Sequence, residues 1–113
     1  MKALTRRDIE LGLNVTRVLG REGEDIRAIF TDTRRALPGA LFVALKGENF
    51  DAHDHLDAAI SGGACGLVIS NEAALPQDLP SGTFVVVVED TREALADLAR
   101  LVRKGHPARF AAV

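Results

Sequence analysis

The 113-residue chain contains no tryptophan and no tyrosine, and its aromatic share rests on five phenylalanines. Proteins that bind single-stranded nucleic acid without sequence preference stack the bases on exposed aromatic side chains. The net charge of −2, from 14 basic and 16 acidic residues, provides no overall attraction for DNA or for an anionic membrane. The composition therefore argues against nucleic acid and membranes as partners.

Cysteine is almost absent as well. Cys65 is the single cysteine, which excludes an internal disulfide and any metal site built from several cysteines. It opens an apolar run, a context that favours a small buried side chain over a catalytic thiol. No apolar run approaches the ~20 residues that cross a bilayer, and the N-terminus lacks the apolar core of a signal peptide. We expect a protein of the reducing cytoplasm.

The start of the chain predicts a short helix followed by a hairpin. Thr5 to Leu11 has a helical pattern that Thr5 caps and Gly12 ends, with Asp8 at the capping-box position. Short apolar runs at 15–19 and 26–30 are joined by the polar residues 20–24, which is typical of two strands and their turn.

The rest of the chain alternates between strand and helix patterns. Continuous apolar runs predict buried strands near 41–45, 66–70 and 83–88, and helical patterns follow near 53–61 and 91–104. This order is typical of a three-layer α/β domain with a small, mostly parallel sheet. The N-terminal helix and hairpin are expected to pack at one edge of it. The last residues, 110–113, begin one further apolar strand.

One short segment concentrates potential metal ligands: Asp51, His53, Asp54 and His55. On a helix, however, Asp51 and His55 share a face while His53 and Asp54 point elsewhere. A catalytic metal usually needs about three protein ligands, and no further cluster follows at a suitable spacing. We therefore predict no metal site and expect Asp51 to cap the following helix or to orient the loop.

Two polar segments follow predicted strands, at 31–35 and 46–51. The hydroxyls of Thr31 and Thr33 can pair with the imide edge of a pyrimidine or with phosphate, and Arg34 offers a bidentate fork to phosphate. Lys46 adds a mobile cation, and Gly47 permits either a positive φ or close approach of a ligand. A structural alternative is that Asp32 caps a turn and the arginines are merely solvated. Polar loops at adjacent strand ends favour a ligand site.

Several catalytic motifs are missing from the sequence. It contains no G-x-x-x-x-G-K-[ST] phosphate loop, no G-x-G-x-x-G fingerprint and no G-x-S-x-G elbow. These residues have no standard means of holding ATP and magnesium. The chain is therefore expected to be a binding domain and not a complete catalyst.

The segment from residue 31 to residue 55 reads T-D-T-R-R-A-L-P-G-A-L-F-V-A-L-K-G-E-N-F-D-A-H-D-H. It resembles the D-[ST]-R-x-x-x-P-G-x-L-F-V-A-L-x-G-x-x-x-D-G-H stretch of the Mur ligases of bacterial cell-wall synthesis. V-E-D-T-R-E-A-L at 88–95 is similar to the V-x-D-T-x-x-A-L that opens the last helix of their N-terminal domain. Ala52 stands where the family usually has glycine, which puts a need for positive φ there in doubt.

Details of the motif distinguish branches of the family. Thr33, Lys46-Gly47-Glu48 and Phe50-Asp51 favour the branch that adds D-alanyl-D-alanine to UDP-N-acetylmuramoyl-tripeptide. The alternatives are the branch that adds the third peptide residue and a stand-alone nucleotide-sensing regulatory domain, as in HPr kinase. The resemblance implies an N-terminal, substrate-binding domain over residues 1–113. The parent would be an ATP- and magnesium-dependent ligase whose central and C-terminal domains lie outside this chain.

The resemblance also implies a substrate site, on the UDP end of the muramyl peptide. By motif position its residues would be Thr31, Thr33, Arg34, Lys46, Gly47, Glu48, Asn49, Phe50, Asp51 and His53. No catalytic residue, cofactor or metal is expected within this chain. ATP and D-alanyl-D-alanine would be bound by the other domains, and the chain is expected to be a monomer.

Overall fold

The computed structural model describes residues 4–20, 25–26, 28–35, 37–80, 82–104 and 109–110. Its helices and strands are α1 (Arg6–Gly12), β1 (Val15–Leu19), β2 (Ala28–Phe30), β3 (Leu41–Val43), α2 (Leu56–Ser61), β4 (Gly66–Ile69), β5 (Phe84–Val88), α3 (Thr91–Arg103) and β6 (Arg109–Phe110). Three short 3₁₀ turns lie at Thr33–Arg35, Ala52–His55 and Glu72–Ala74.

The described strands form one six-stranded sheet in the order β1-β5-β4-β3-β2-β6. Neighbours from β5 to β6 in this order are all parallel, and β1 alone runs antiparallel, along β5. The predicted parallel arrangement of the strands near 41–45, 66–70 and 83–88 is therefore confirmed. The strand expected at the end of the chain begins as β6, and residues 111–113 lie outside the described residues.

The predicted hairpin between residues 15–19 and 26–30 is wrong. β1 pairs with β5, whereas β2 lies between β3 and β6. All three residues of β2 are buried, so this strand takes an interior position, while the half-exposed β1 takes an edge. Ile26 forms a bridge to Leu4 instead of a hairpin partner. Residues 21–24 of the expected turn lie outside the described residues.

The core is divided by the sheet into two layers. α1 and α3 cover one face, where Ile9 and Leu98 pack with Ile29, Val68 and Val86. α2 covers the other face, where Leu56 and Ala59 pack with the inward residues of that side, among them Phe30, Phe42, Leu67 and Ile69. Both faces of the central strands are buried, which is why their sequences are continuous apolar runs. The three-layer α/β architecture is confirmed.

Local signals in the sequence set the helix boundaries. Thr5 and Asp8 form the expected capping box at the start of α1, and Asp90 caps α3 by accepting the backbone N–H of Arg92 at 2.8 Å. Cys65 is buried, with its thiol donating to the carbonyl oxygen of Gly39, as expected of a structural side chain. Among the described residues, no helix has the length and apolarity needed to cross a bilayer.

Candidate functional site

The parallel strands bring three polar loops to one edge of the sheet. The first loop (31–35) follows β2, the second loop (44–51) follows β3, and the third loop (70–74) follows β4. Because β2, β3 and β4 are parallel neighbours, these loops leave the sheet in sequence along its carboxyl edge. The ten residues predicted for the substrate site lie on the first loop, the second loop and the 3₁₀ turn after it.

In the first loop, Asp32 organises the backbone and the guanidinium of Arg34 together. Its carboxylate accepts the backbone N–H of Arg34 at 2.9 Å and binds Nε and Nη2 of the same residue at 3.1 and 2.9 Å. These hydrogen bonds raise the pKa of Arg34 above its ordinary value. The Arg34 side chain is 88% exposed. The loop thus has the capped turn of the structural alternative, and it also presents an oriented, solvated cation suited to phosphate.

The second loop is a closed ribbon. The Gly47 N–H donates to the Phe50 carbonyl oxygen at 2.6 Å, and the Ala52 N–H donates to the Leu45 carbonyl oxygen at 2.9 Å. Lys46 and Asp51 pair across the ribbon between these two bonds. Residues 46–50 are exposed. A short loop closed by its own backbone presents its polar side chains in a defined arrangement.

The backbone conformation of the ribbon does not require glycine at position 47. The positive-φ residues in the described part of the chain are Gly20, Gly39, Gly63 and Gly82. A Cβ added to Gly47 would have the Phe50 carbonyl oxygen as its nearest neighbour, at 3.7 Å, which is an ordinary van der Waals distance. Of the two roles predicted for Gly47, the positive φ is wrong, and close approach of a ligand remains the explanation to be tested.

Phe50 lies at the end of the ribbon and is 57% exposed. Its ring stacks on His55, with centroids 5.4 Å apart and an interplanar angle of 15°. The pair forms a flat aromatic patch next to the polar side chains of the second loop. Such a patch can accommodate the flat face of a base or the methylene groups of a neighbouring partner.

Asp51 and His53 join the ribbon to the turn that follows it. The Asp51 carboxylate accepts the His53 backbone N–H at 3.0 Å, so it caps the 3₁₀ turn at Ala52–His55. The helix predicted near 53–61 begins as this turn and continues as α2 from Leu56, so the predicted cap lies one turn ahead of the α-helix. The backbone hydrogen bond from His53 is the main reason that the pKa of Asp51 is lowered. Ala52 follows as a buried residue of the turn, and no non-glycine residue in the described part of the chain has a positive φ.

His53 is only 3% exposed, and its ring hydrogen-bonds with three residues. Nδ1 lies 2.6 Å from Oδ1 of Asp51, and Nε2 lies 3.0 Å from the backbone nitrogen of Ser70 and 3.3 Å from that of Asn71. Sequence reasoning missed both partners in the third loop. It also missed Arg92, whose Nη2 donates to the Lys46 carbonyl oxygen at 3.3 Å.

The four potential metal ligands between residues 51 and 55 differ in their burial. His53 is buried while Asp54 and His55 are exposed. Within the described ranges, no three histidine, cysteine or acidic side chains lie close enough together to hold a metal ion. The absence of a metal stays a prediction, which the hydrogen bonding of both His53 nitrogens supports.

A cavity of about 330 Å³ opens between the start of β1 and the start of α3. It is lined by Asn14, Val15, Thr16, Val88, Glu89, Asp90, Glu93, Ala94 and Asp97, and its charged lining residues are all acidic. Carboxylates repel phosphate oxygens and already occupy the N-terminus of α3, where a phosphate would otherwise bind. The described residues at this strand-to-helix junction are therefore poorly suited to the phosphates of ATP, and the lack of an ATP site in this chain stays a prediction.

The fold is an α/β domain with polar loops at the carboxyl edge of a mostly parallel sheet, and comparison with known proteins places the chain in a family. Residues 25–103 match the family described as "Mur ligase family, catalytic domain". The chain belongs to the Mur ligase family, as the sequence motif predicted.

The relatives include members of two branches. The chain is 50% identical over 94 residues to the UDP-N-acetylmuramoyl-tripeptide–D-alanyl-D-alanine ligase of Escherichia coli, over 81% of this chain and 20% of that protein. It is 43% identical to the ligase of the same name from Haemophilus influenzae, over 78% of this chain and 18% of that protein. It is 36% identical to the UDP-N-acetylmuramoyl-L-alanyl-D-glutamate–2,6-diaminopimelate ligase of Parabacteroides distasonis, over 79% of this chain and 18% of that protein.

A solved structure agrees with this assignment. The crystal structure of MurF from Acinetobacter baumannii superposes with a TM-score of 0.73 at 26% identity, covering 92% of this chain and 22% of that one. The predicted likeness to the N-terminal domain of MurF is confirmed. The chain spans about a fifth of the length of the curated relatives that it matches.

Proposed function

We propose that this chain is the domain that holds the UDP end of a UDP-N-acetylmuramoyl peptide in a ligase that adds D-alanyl-D-alanine. The observation that carries the proposal is the position of the family motif, because its polar residues occupy two loops on neighbouring parallel strands, half-buried at 31–33 and exposed at Arg34 and at 46–50. The identity of 50% to a D-alanyl-D-alanine ligase, against 36% to a diaminopimelate ligase, favours this branch over the one that adds the third residue.

The chemistry of the two loops suits a uridine diphosphate. Arg34 and Lys46 supply exposed cations for the diphosphate, since each can form charge-assisted hydrogen bonds with its oxygens. Thr31 and Thr33 supply hydroxyls that can donate to and accept from the imide edge of uracil. Glu48 and Asn49 offer further polar groups, and Phe50 offers a partly exposed ring.

The role of this chain in the ligase reaction is to bind and orient. Joining a carboxylate to an amine through an acyl phosphate needs ATP, magnesium and a bound nucleophile, and positioning with charge neutralisation supplies most of the acceleration. The acidic cavity at the start of α3 does not suit the phosphates of ATP, and no metal-ligand cluster lies among the described residues. We assign all three to the domains outside this chain, and this chain to anchoring the nucleotide so that the distant carboxylate of the peptide is presented correctly.

The remaining parts of the proposal concern the setting. We propose a monomer in the cytoplasm, in which a lone buried cysteine is stable as a thiol. The partners are the UDP-linked muramyl peptide and, through the other domains, ATP and D-alanyl-D-alanine. Nucleic acid and membrane lipid are not among them, because the net charge of −2 gives no attraction for either.

Titration of the ¹⁵N-labelled chain with UDP tests the proposal, with ADP as the matched control. UDP should shift the amide signals of residues 31–35 and 46–51, and ADP should bind more weakly because the imide edge of uracil is missing. Shifts confined to the acidic cavity at the start of α3, or equal binding of the two nucleotides, would contradict the assignment.

A further inference from the structure

We propose that His53 is a positioning residue that ties the second loop to the third loop and thereby fixes the nucleotide-binding surface. The expected effect on UDP binding rests on the proposed function, whereas the positioning role itself rests on the hydrogen bonds of the His53 ring. His53 lies in the turn after the ribbon, while Ser70 and Asn71 directly follow β4. A single buried side chain therefore spans the two loops.

The hydrogen bonds define which nitrogen carries the proton. A backbone N–H can only donate, so Nε2 of His53 must accept from Ser70 and Asn71 and cannot itself be protonated. The ring proton consequently lies on Nδ1, where it is donated to Oδ1 of Asp51 at 2.6 Å. The structure assigns a neutral imidazole with both nitrogens used.

These bonds are placed where they control the ribbon. Asp51 is the last residue of the ribbon and pairs with Lys46 across it. The ring of His53 therefore holds the base of the second loop against the backbone of the third. Arg92 supports the same loop from α3, through the Lys46 carbonyl oxygen. A loop fixed in this way loses little conformational freedom when a ligand binds, which preserves affinity.

A purely space-filling role for the ring makes a different prediction. Phenylalanine would fill a similar volume at position 53 and keep the packing, but it would leave the N–H groups of Ser70 and Asn71 without their acceptor. The Asp51 cap would persist, because that bond uses the backbone N–H of His53. Replacement by phenylalanine therefore separates hydrogen bonding from packing.

The first test is spectroscopic and uses the unaltered chain. Long-range ¹H–¹⁵N correlation spectra of the imidazole should show His53 at neutral pH with a protonated Nδ1 and an unprotonated, hydrogen-bonded Nε2. A ring protonated on Nε2, or one that exchanges freely between tautomers, would overturn the proposal. This measurement needs no ligand and no variant.

The second test compares His53→Phe with His53→Gln, whose side-chain oxygen can reach the position of Nε2 and accept from Ser70. In His53→Phe, exchange of the Ser70 and Asn71 amides and the dissociation constant for UDP should each rise about tenfold. His53→Gln should recover part of both. The control is His55→Phe, since His55 is exposed and stacks on Phe50. It should leave the Ser70 and Asn71 amides protected.

The outcomes separate the proposal from the proposed function. A wild-type chain that fails to bind UDP would refute the proposed function, while amide exchange and the tautomer would still decide the role of His53. Unchanged exchange and unchanged UDP affinity in folded His53→Phe would overturn the positioning role. If His53→Phe does not fold, exchange in His53→Gln and the tautomer of the wild-type ring decide the matter.

Discussion

Replacing Gly47 by alanine tests whether this glycine is needed for ligand binding or for the fold. Gly47 is not among the positive-φ glycines, and its added Cβ would lie 3.7 Å from the nearest described atom. The folded chain should accept this methyl group without rearrangement. Because alanine also restricts the unfolded chain, the free energy of unfolding should stay the same or rise by about 0.4–1 kcal/mol.

Binding should respond in the opposite direction. If a diphosphate or ribose approaches the backbone at Gly47, the new methyl group occupies its place and displaces at least one charge-assisted hydrogen bond. Loss of one such bond corresponds to an increase of about tenfold or more in the dissociation constant for UDP. Isothermal titration calorimetry measures this constant, and urea unfolding measures the stability of the same sample.

Gly63→Ala provides the matched control, with the reverse pattern. Gly63 has a φ of +98°, and its added Cβ would lie 3.0 Å from the Cα of Pro38. A left-handed conformation costs an L-residue roughly 1–2 kcal/mol, and the contact with Pro38 adds to this. Gly63 follows α2 and precedes β4, at the opposite edge of the sheet, so UDP affinity of the folded protein should not change. Gly47→Ala that unfolds more easily, or that binds UDP as well as the wild type does, would refute the reasoning.

Three further predictions concern charge and catalysis. Arg34→Ala should weaken UDP binding by about tenfold while leaving the unfolding transition unchanged, because its guanidinium is solvated; unchanged affinity would remove Arg34 from the site. The pKa of Asp51 is lowered below its ordinary 3.8, so its carboxylate stabilises the fold above that pH, and the stabilisation is lost as the pH falls through the lowered value. The stability difference between wild type and Asp51→Asn should therefore be present at neutral pH and shrink in acid, whereas a pH-independent difference would contradict the assignment. The purified chain should not hydrolyse ATP or join D-alanyl-D-alanine to a muramyl peptide, and measurable ATP turnover would show that the division of roles is wrong.

The central strands were predictable because each is buried on both faces and therefore has apolar residues at consecutive positions. Phe84 to Val88 is apolar at every position, and all five residues are buried between the two helical layers. The pairing of β1 was not predictable from such local patterns. Val15 to Leu19 has the composition of a strand, but nothing in the polar segment after it distinguishes a hairpin from a crossover. The polar Thr16 and Arg17 do indicate an edge position, which is where the strand lies.

In the candidate site, too, the local contacts were predictable and the long-range contacts were not. The Asp51 cap was predictable because capping acts between near neighbours in the sequence, here Asp51 and His53. The bonds from Ser70 and Asn71 to the His53 ring join positions 17 and 18 residues apart and use backbone donors. Every non-proline residue has such a donor, so the sequence contains no signal for this contact.

The strand order also has a consequence for the sequence of folding events. Thr16 bonds to the Val87 carbonyl oxygen, 71 residues further along the chain, and β2 pairs on its outer side with residues 109–110. Long loops are slow to close, whereas the pairing of β3 with β4 joins segments that are separated by the second loop, one 3₁₀ turn and α2. The middle of the sheet, with the second and third loops, is therefore expected to assemble first. On a growing polypeptide, β1 has to wait for β5, and the outer side of β2 remains uncovered until β6 emerges.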